Sequence, residues 1–224
     1  AKENHAIKTG RNKQIKFHAL WGLINHPTQG YILYDTGYTN RFYKATAHFP
    51  NKIYALATKV EVTKTDEVAH QLKRNHIDPE EIRHVIITHF HADHTGGLKD
   101  FPNAKIYTSS IALQHTLNLG DTFAFTKGVL KTLLPDNLEE RVVLIDKACT
   151  KINDSNLGEC YDLFDDNTIQ IVNLSGHAAG QIGLIVETDK AKYFLIADAC
   201  WLKKSIEEDI LPHAIVKLFF HSWS

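Results

Sequence analysis

A chain of 224 residues with 43% hydrophobic and 23% charged residues is long enough to bury a sizeable core, and no linker divides it, so a single domain over 1–224 is expected. Its formal net charge of −1 gives no general attraction to nucleic acid, and its longest apolar runs are too short to cross a bilayer. Cys149, Cys160 and Cys200 are odd in number and lack a Cys-x-x-Cys spacing, so neither a disulfide framework nor a thiolate zinc site is suggested. With a polar, basic stretch over 1–16 that is no secretory signal, a cytoplasmic location is expected.

Taken in chain order, residues 14–21 and 31–35 are β-rich around the turn signal Pro27-Thr28-Gln29-Gly30, which predicts a hairpin. The pairs Phe42-Tyr43 and Phe49-Pro50 read as exposed aromatics, equally compatible with a cleft cover, a homodimer contact or ordinary packing. Residues 64–75 carry Val68 and Leu72 four apart and predict a helix, followed by a turn capped by Asp78 with Pro79 first. The apolar, β-branched run over 84–88 predicts a buried strand. A strand over 104–108 and a helix over 109–118, capped by Ser109 or Ser110, come next. Between 120 and 135, Phe123, Phe125, Val129, Leu130, Leu133 and Leu134 have partly helical spacing, which favours a helix packed on the core over a cleft lining. The remainder returns to strands at 141–145, 168–174, 182–187 and 192–197, with helices read at 200–208 and 212–220.

The chemistry concentrates in Thr88-His89-Phe90-His91-Ala92-Asp93-His94-Thr95-Gly96-Gly97, where three imidazoles and a carboxylate follow the end of a predicted strand. Imidazole nitrogen and carboxylate oxygen suit zinc, iron or manganese, and a His-x-His pair beyond a strand can aim both rings into one pocket. Asp93 and His94 are offset enough to reach a second ion nearby. His84 and His115 show no such pattern.

This motif, His-x-His-x-Asp-His after a strand, resembles the signature of the metallo-β-lactamase fold superfamily. Leu174-Ser175-Gly176-His177-Ala178-Ala179-Gly180-Gln181 is similar to that family's second metal loop, and Asp198, ending an apolar run, to its bridging carboxylate. Asp198 also reads as a helix N-cap. Tyr31-Ile32-Leu33-Tyr34-Asp35-Thr36-Gly37 resembles the early strand whose Asp buttresses the site, and Asp35 also reads as the start of a turn.

The resemblance implies an α+β, four-layer αββα sandwich. It also implies two divalent ions, zinc first, with iron and manganese as the other candidates. His89, His91 and His177 would hold one ion, Asp93 and His94 would help hold the other, and Asp198 would bridge them. The implied reaction is hydrolysis of a lactone or ester by a metal-bridging hydroxide, with Asp93 shuttling the proton. Within the superfamily, the pattern looks most like the N-acyl-homoserine lactonase branch. It departs from that branch at Trp201, which stands three residues after Asp198 where those lactonases place a Tyr at the substrate pocket. The other readings are a thioester hydrolase, a phosphodiesterase, and a non-catalytic or redox metal-binding module. The family's further His, beyond the bridging Asp, has only His213 and His221 as candidates, both in a segment read as helix, so a chain lacking its carboxyl-terminal end is expected. The implied partner is a small-molecule substrate, with neither nucleic acid nor membrane.

Overall fold

A computed structural model describes residues 2–154 and 157–210; His213, His221 and the helix expected over 212–220 lie outside the described residues. The chain divides into two compact units, one of residues 19–108 with 113–143, the other of 1–18, 109–112 and 144 onward.

The first unit is built on a five-stranded sheet whose strands lie in sequence order: β1 (Gly22–His26), β2 (Gly30–Tyr34), β3 (His84–Ile86), β4 (Lys105–Thr108) and β5 (Val142–Leu144). β1 and β2 are antiparallel, whereas β2 with β3 and β3 with β4 are parallel. Parallel strands covered on both faces are apolar almost throughout, and Ile32, Leu33, Val85, Ile86 and Ile106 are all buried. The hairpin was expected, but its first strand was not at 14–21. Phe17 and Leu20 are exposed there, and the alternating Gly22–His26 pairs with β2 instead. Buried His26 closes the turn, its Nδ1 accepting from the amides of Thr28 and Gln29, both at 3.2 Å.

Helix Val68–Arg74 forms inside the expected segment and buries Val68 and Leu72. Asp78 caps the following short turn, its carboxylate accepting from the Glu80 amide at 3.0 Å. Phe42 was read as exposed, but it is buried beneath Tyr38 and Tyr54. Tyr43 and Phe49 do face outward. Over 120–135 the expected single helix gives way to two short 3-10 turns, Ala124–Lys127 and Lys131–Leu133. Gly128 separates them in a left-handed conformation (φ 74°) that no helix continues through. Half-buried His84 pairs its Nδ1 with the Tyr107 hydroxyl at 3.1 Å; burial first, then the charges of Lys105 and His26, lower its pKa.

The second unit carries a fully antiparallel sheet in the order β10-β9-β8-β7-β6: β6 (Thr150–Asp154), β7 (Gly158–Asp162), β8 (Ile169–Asn173), β9 (Ile182–Glu187) and β10 (Lys192–Leu195). β9 is buried along nearly its whole length, while β6 at one edge is largely exposed. The turn between β7 and β8 has left-handed Asp165 and Asn167, residue types that tolerate positive φ through local side-chain bonds.

Helix Ser110–Asn118 starts where two side chains cap it. Ser109 Oγ accepts from the Ala112 amide at 3.1 Å, and the Asp146 carboxylate accepts from the Ser110 amide and hydroxyl, both at 2.7 Å. Burial pushes the Asp146 carboxyl up, but the two Ser110 bonds, its own backbone amide and Lys147 outweigh burial and hold it below the usual range. A carboxylate with a depressed folded pKa adds stability that is present above its unfolded pKa of about 3.9 and is lost as pH falls through the folded value. Asp146→Ala should therefore cost about 1–2 kcal/mol at pH 7. That deficit should shrink below about pH 3.9, toward the folded pKa, when denaturant midpoints of both proteins are compared.

Candidate metal centre

In the first unit, Asp35 ends β2 in a left-handed conformation (φ 56°), and its amide donates to Ile86 O at 2.9 Å. That geometry turns the carboxylate toward the segment leaving β3. It accepts from the Thr88 amide at 2.9 Å, from the Thr88 hydroxyl at 2.9 Å, and from His94 Nδ1 at 2.7 Å, with Asp35 and Thr88 fully buried. A carboxylate only accepts, so a proton sits on His94 Nδ1, and in the neutral ring Nε2 is the nitrogen left for a metal. The Thr88 hydroxyl also lies 3.1 Å from His89 Nδ1. A histidine whose second nitrogen is held by a carboxylate is the arrangement that fixes tautomer and ring direction in metal sites.

His91 stands at the start of the single helical turn Ala92–Thr95, its carbonyl taking the Thr95 amide and hydroxyl. The three rings gather closely. Centroids of His89 and His91 are 4.4 Å apart and those of His89 and His94 4.0 Å apart, all three residues being buried. Asp93, part-exposed, places Oδ2 3.6 Å from His94 Nε2.

The turn that follows is clamped from several sides. The Thr36 amide and hydroxyl both donate to His94 O, at 2.8 and 2.7 Å. The Thr39 hydroxyl and Arg41 Nη2 donate to Gly96 O, and Arg41 holds Asp100 with both guanidinium arms at 2.8 and 2.6 Å. Gly97 packs directly on Thr36: a β-carbon there would lie 2.5 Å from Thr36 O.

Gly128 was not among the residues picked out from the sequence. Its carbonyl accepts from the Ala92 amide at 3.0 Å, and a β-carbon on it would sit 2.5 Å from His91 Cδ2. The His91 ring thus occupies the space that any other residue at 128 would fill. Only its position as a lone Gly in an apolar stretch hinted at close backbone approach.

In the second unit, His177 lies on the loop between β8 and β9, closed by the Leu174 amide donating to Gln181 O at 2.9 Å. The Ser109 hydroxyl donates to Gly180 O at 2.6 Å, tying this loop to the start of helix Ser110–Asn118. Asp198 sits in the 3-10 turn Ala197–Ala199. It caps no helix: the next one, Lys203–Glu207, has Leu202 at its N-cap position. Asp198 Oδ2 lies 3.4 Å from His177 Nε2 and accepts from the Trp201 indole at 2.9 Å. His177 is buried, and Trp201 packs against it edge-on with centroids 5.4 Å apart.

The donor set fits divalent metal. Two ligand atoms each 2.0–2.1 Å from a tetrahedral ion lie about 3.3 Å apart, which His177 with Asp198 meets at 3.4 Å and His94 with Asp93 approaches at 3.6 Å. All are nitrogen or carboxylate oxygen, the donors zinc, iron and manganese accept.

Residues 16–188 match the family model of the metallo-beta-lactamase superfamily. An N-acyl homoserine lactonase of a Bacillus species is 24% identical over 195 residues, 85% of this chain and 68% of that protein. Among solved structures, an N-acyl homoserine lactone hydrolase with N-hexanoyl-L-homoserine bound at its catalytic metal centre superposes with a TM-score of 0.69. It is 20% identical, over 93% of this chain and 75% of that one. AidC, a dizinc quorum-quenching lactonase in complex with a product, gives a TM-score of 0.51 at 17% identity, over 77% of this chain and 53% of its own. The α+β architecture expected from the sequence is thereby borne out. The chain belongs to the metallo-β-lactamase superfamily and is a hydrolase of that fold near the N-acyl homoserine lactonase branch.

Proposed function

We propose that this protein hydrolyses a lactone or ester, with two divalent ions, zinc first, held by His89, His91 and His177 on one side, Asp93 and His94 on the other, and Asp198 between. The observation that carries the reading is the buried lock of Asp35 on Thr88 and His94, which spends a carboxylate on aiming one ring of a three-imidazole cluster.

Such ions, when bound, supply nucleophile activation near neutral pH and polarisation of the carbonyl oxygen. The rest falls to the chain. Asp35 and Thr88 hold the His94 and His89 rings in place, so no reorganisation is required as charge develops. Asp93 sits beside His94 with its carboxylate partly open to solvent, a position from which it can take a proton and return it to the leaving alkoxide. No Ser or Cys nucleophile is required. Support for the substrate class comes from the relatives: the Bacillus protein is an N-acyl homoserine lactonase, and the two structures hold a homoserine product.

The test is a pH-indicator screen across N-acyl homoserine lactones, other lactones, aryl esters, thioesters and phosphodiesters, with and without chelator. Turnover of lactones or esters that stops on chelation is the expected result. Turnover confined to thioesters or phosphodiesters would reassign the substrate, and lactone turnover indifferent to chelator would remove the metal.

A further inference from the structure

The polar atom of Trp201 is engaged within the protein. Indole has one donor and no acceptor. Here that donor, Nε1–H, is directed at Asp198 Oδ2 at 2.9 Å. The same oxygen lies 3.4 Å from His177 Nε2, and the indole and His177 rings meet in a T-shaped contact with an interplanar angle of 76°. Behind it, Phe17 packs on the indole with centroids 6.0 Å apart. One side chain therefore touches both candidate ligands of this unit, one by a hydrogen bond and the other by ring contact.

We propose that Trp201 is a positioning residue of the metal centre, holding the Asp198 carboxylate and the His177 imidazole in the mutual arrangement an ion requires. The proposal rests on the metal-centre reading above. A hydrogen bond to one carboxylate oxygen restricts the rotamers that Asp198 can adopt. Partners of this kind are commonly worth 10–100-fold in metal affinity. The arrangement also separates this chain from one with Tyr at 201, because a phenol can donate and accept at once while indole commits its single proton.

The hydrogen bond and the ring contact can be separated. Trp201→Phe keeps an aromatic ring and loses the donor; Trp201→Gln keeps an N–H donor of similar reach and loses the ring. Zinc-loaded wild type and both variants are challenged with increasing concentrations of a chromophoric chelator, and released zinc is read optically. Trp201→Phe should give up zinc at a chelator concentration about 10–100-fold below that needed for wild type, with Trp201→Gln closer to wild type than Trp201→Phe. Wild-type retention by both variants, or by Trp201→Phe with its donor gone, would overturn the proposal. Should Trp201→Phe fail to fold, Trp201→Leu replaces it as the donor-free variant: zinc release at about 10–100-fold less chelator supports the role, and wild-type retention refutes it. A wild-type protein that holds no zinc would overturn the metal-centre reading itself, an outcome distinct from either.

Discussion

Replacing Asp35 by Asn should leave the protein folded and cost it about 10–100-fold in zinc affinity, with hydrolytic activity falling in step. Asn is near in volume to Asp and tolerates the left-handed backbone (φ 56°) that Asp35 adopts, so the change isolates the hydrogen bonding. An amide oxygen can still accept from Thr88, but the amide NH₂ then faces the His94 Nδ1 proton across 2.7 Å. Relief comes by moving that proton to Nε2, the nitrogen aimed at Asp93, which takes away the lone pair a metal needs. Asp35→Ala goes further, stranding the buried Thr88 amide and hydroxyl and His94 Nδ1 together. Its expected cost is about 3–5 kcal/mol of folding stability, as for removal of one partner from a buried pair. Denaturant midpoints and zinc competition measure the two effects separately. Asn at 35 with unchanged zinc affinity would show that Asp35 only shapes the turn.

The second large effect is expected at Gly128. Ala there must adopt φ 74°, costing about 1–2 kcal/mol, and must place its methyl 2.5 Å from His91 Cδ2. The imidazole is buried and cannot yield by swinging into solvent, so overpacking adds about 1–3 kcal/mol, and the ring that moves is a proposed ligand. Gly128→Ala should therefore lose both thermal stability and bound metal. Gly120→Ala is the internal comparison: nothing lies within 4 Å of a β-carbon at that exposed site, and its φ is not positive, so it should behave as wild type. Equal behaviour of the two variants would refute the account of Gly128.

The strands around the site were legible because burial on both faces forces continuous apolar runs, as in β3 and β9, and such runs stand out in a sequence. The helix capped by Ser109 was readable for the same kind of reason, a local bond between near neighbours. What escaped was non-local or polar. β6 and β7 were missed because Lys151, Asn153 and Glu159 make an edge hairpin with little apolar alternation. Asp198 was read partly as a helix cap because its contacts with Trp201 and His177 are side-chain contacts that propensities do not register. Gly128 could not be identified as the floor beneath His91 because nothing near it in the sequence names the ring that fills its space. The metal motif itself was legible to the extent that six consecutive positions carry it, whereas the bonds that aim its rings come from Asp35, over fifty residues upstream.

The most direct test of a metal-dependent hydrolase is elemental analysis of the purified protein beside its His91→Ala variant, each assayed for lactone and ester hydrolysis before and after chelation. The account predicts divalent metal bound to wild type, sharply reduced in the variant, and activity that disappears with the metal and returns when zinc is restored. Hydrolysis that persists in metal-free wild type, or a His91→Ala protein with full metal and full activity, would contradict it.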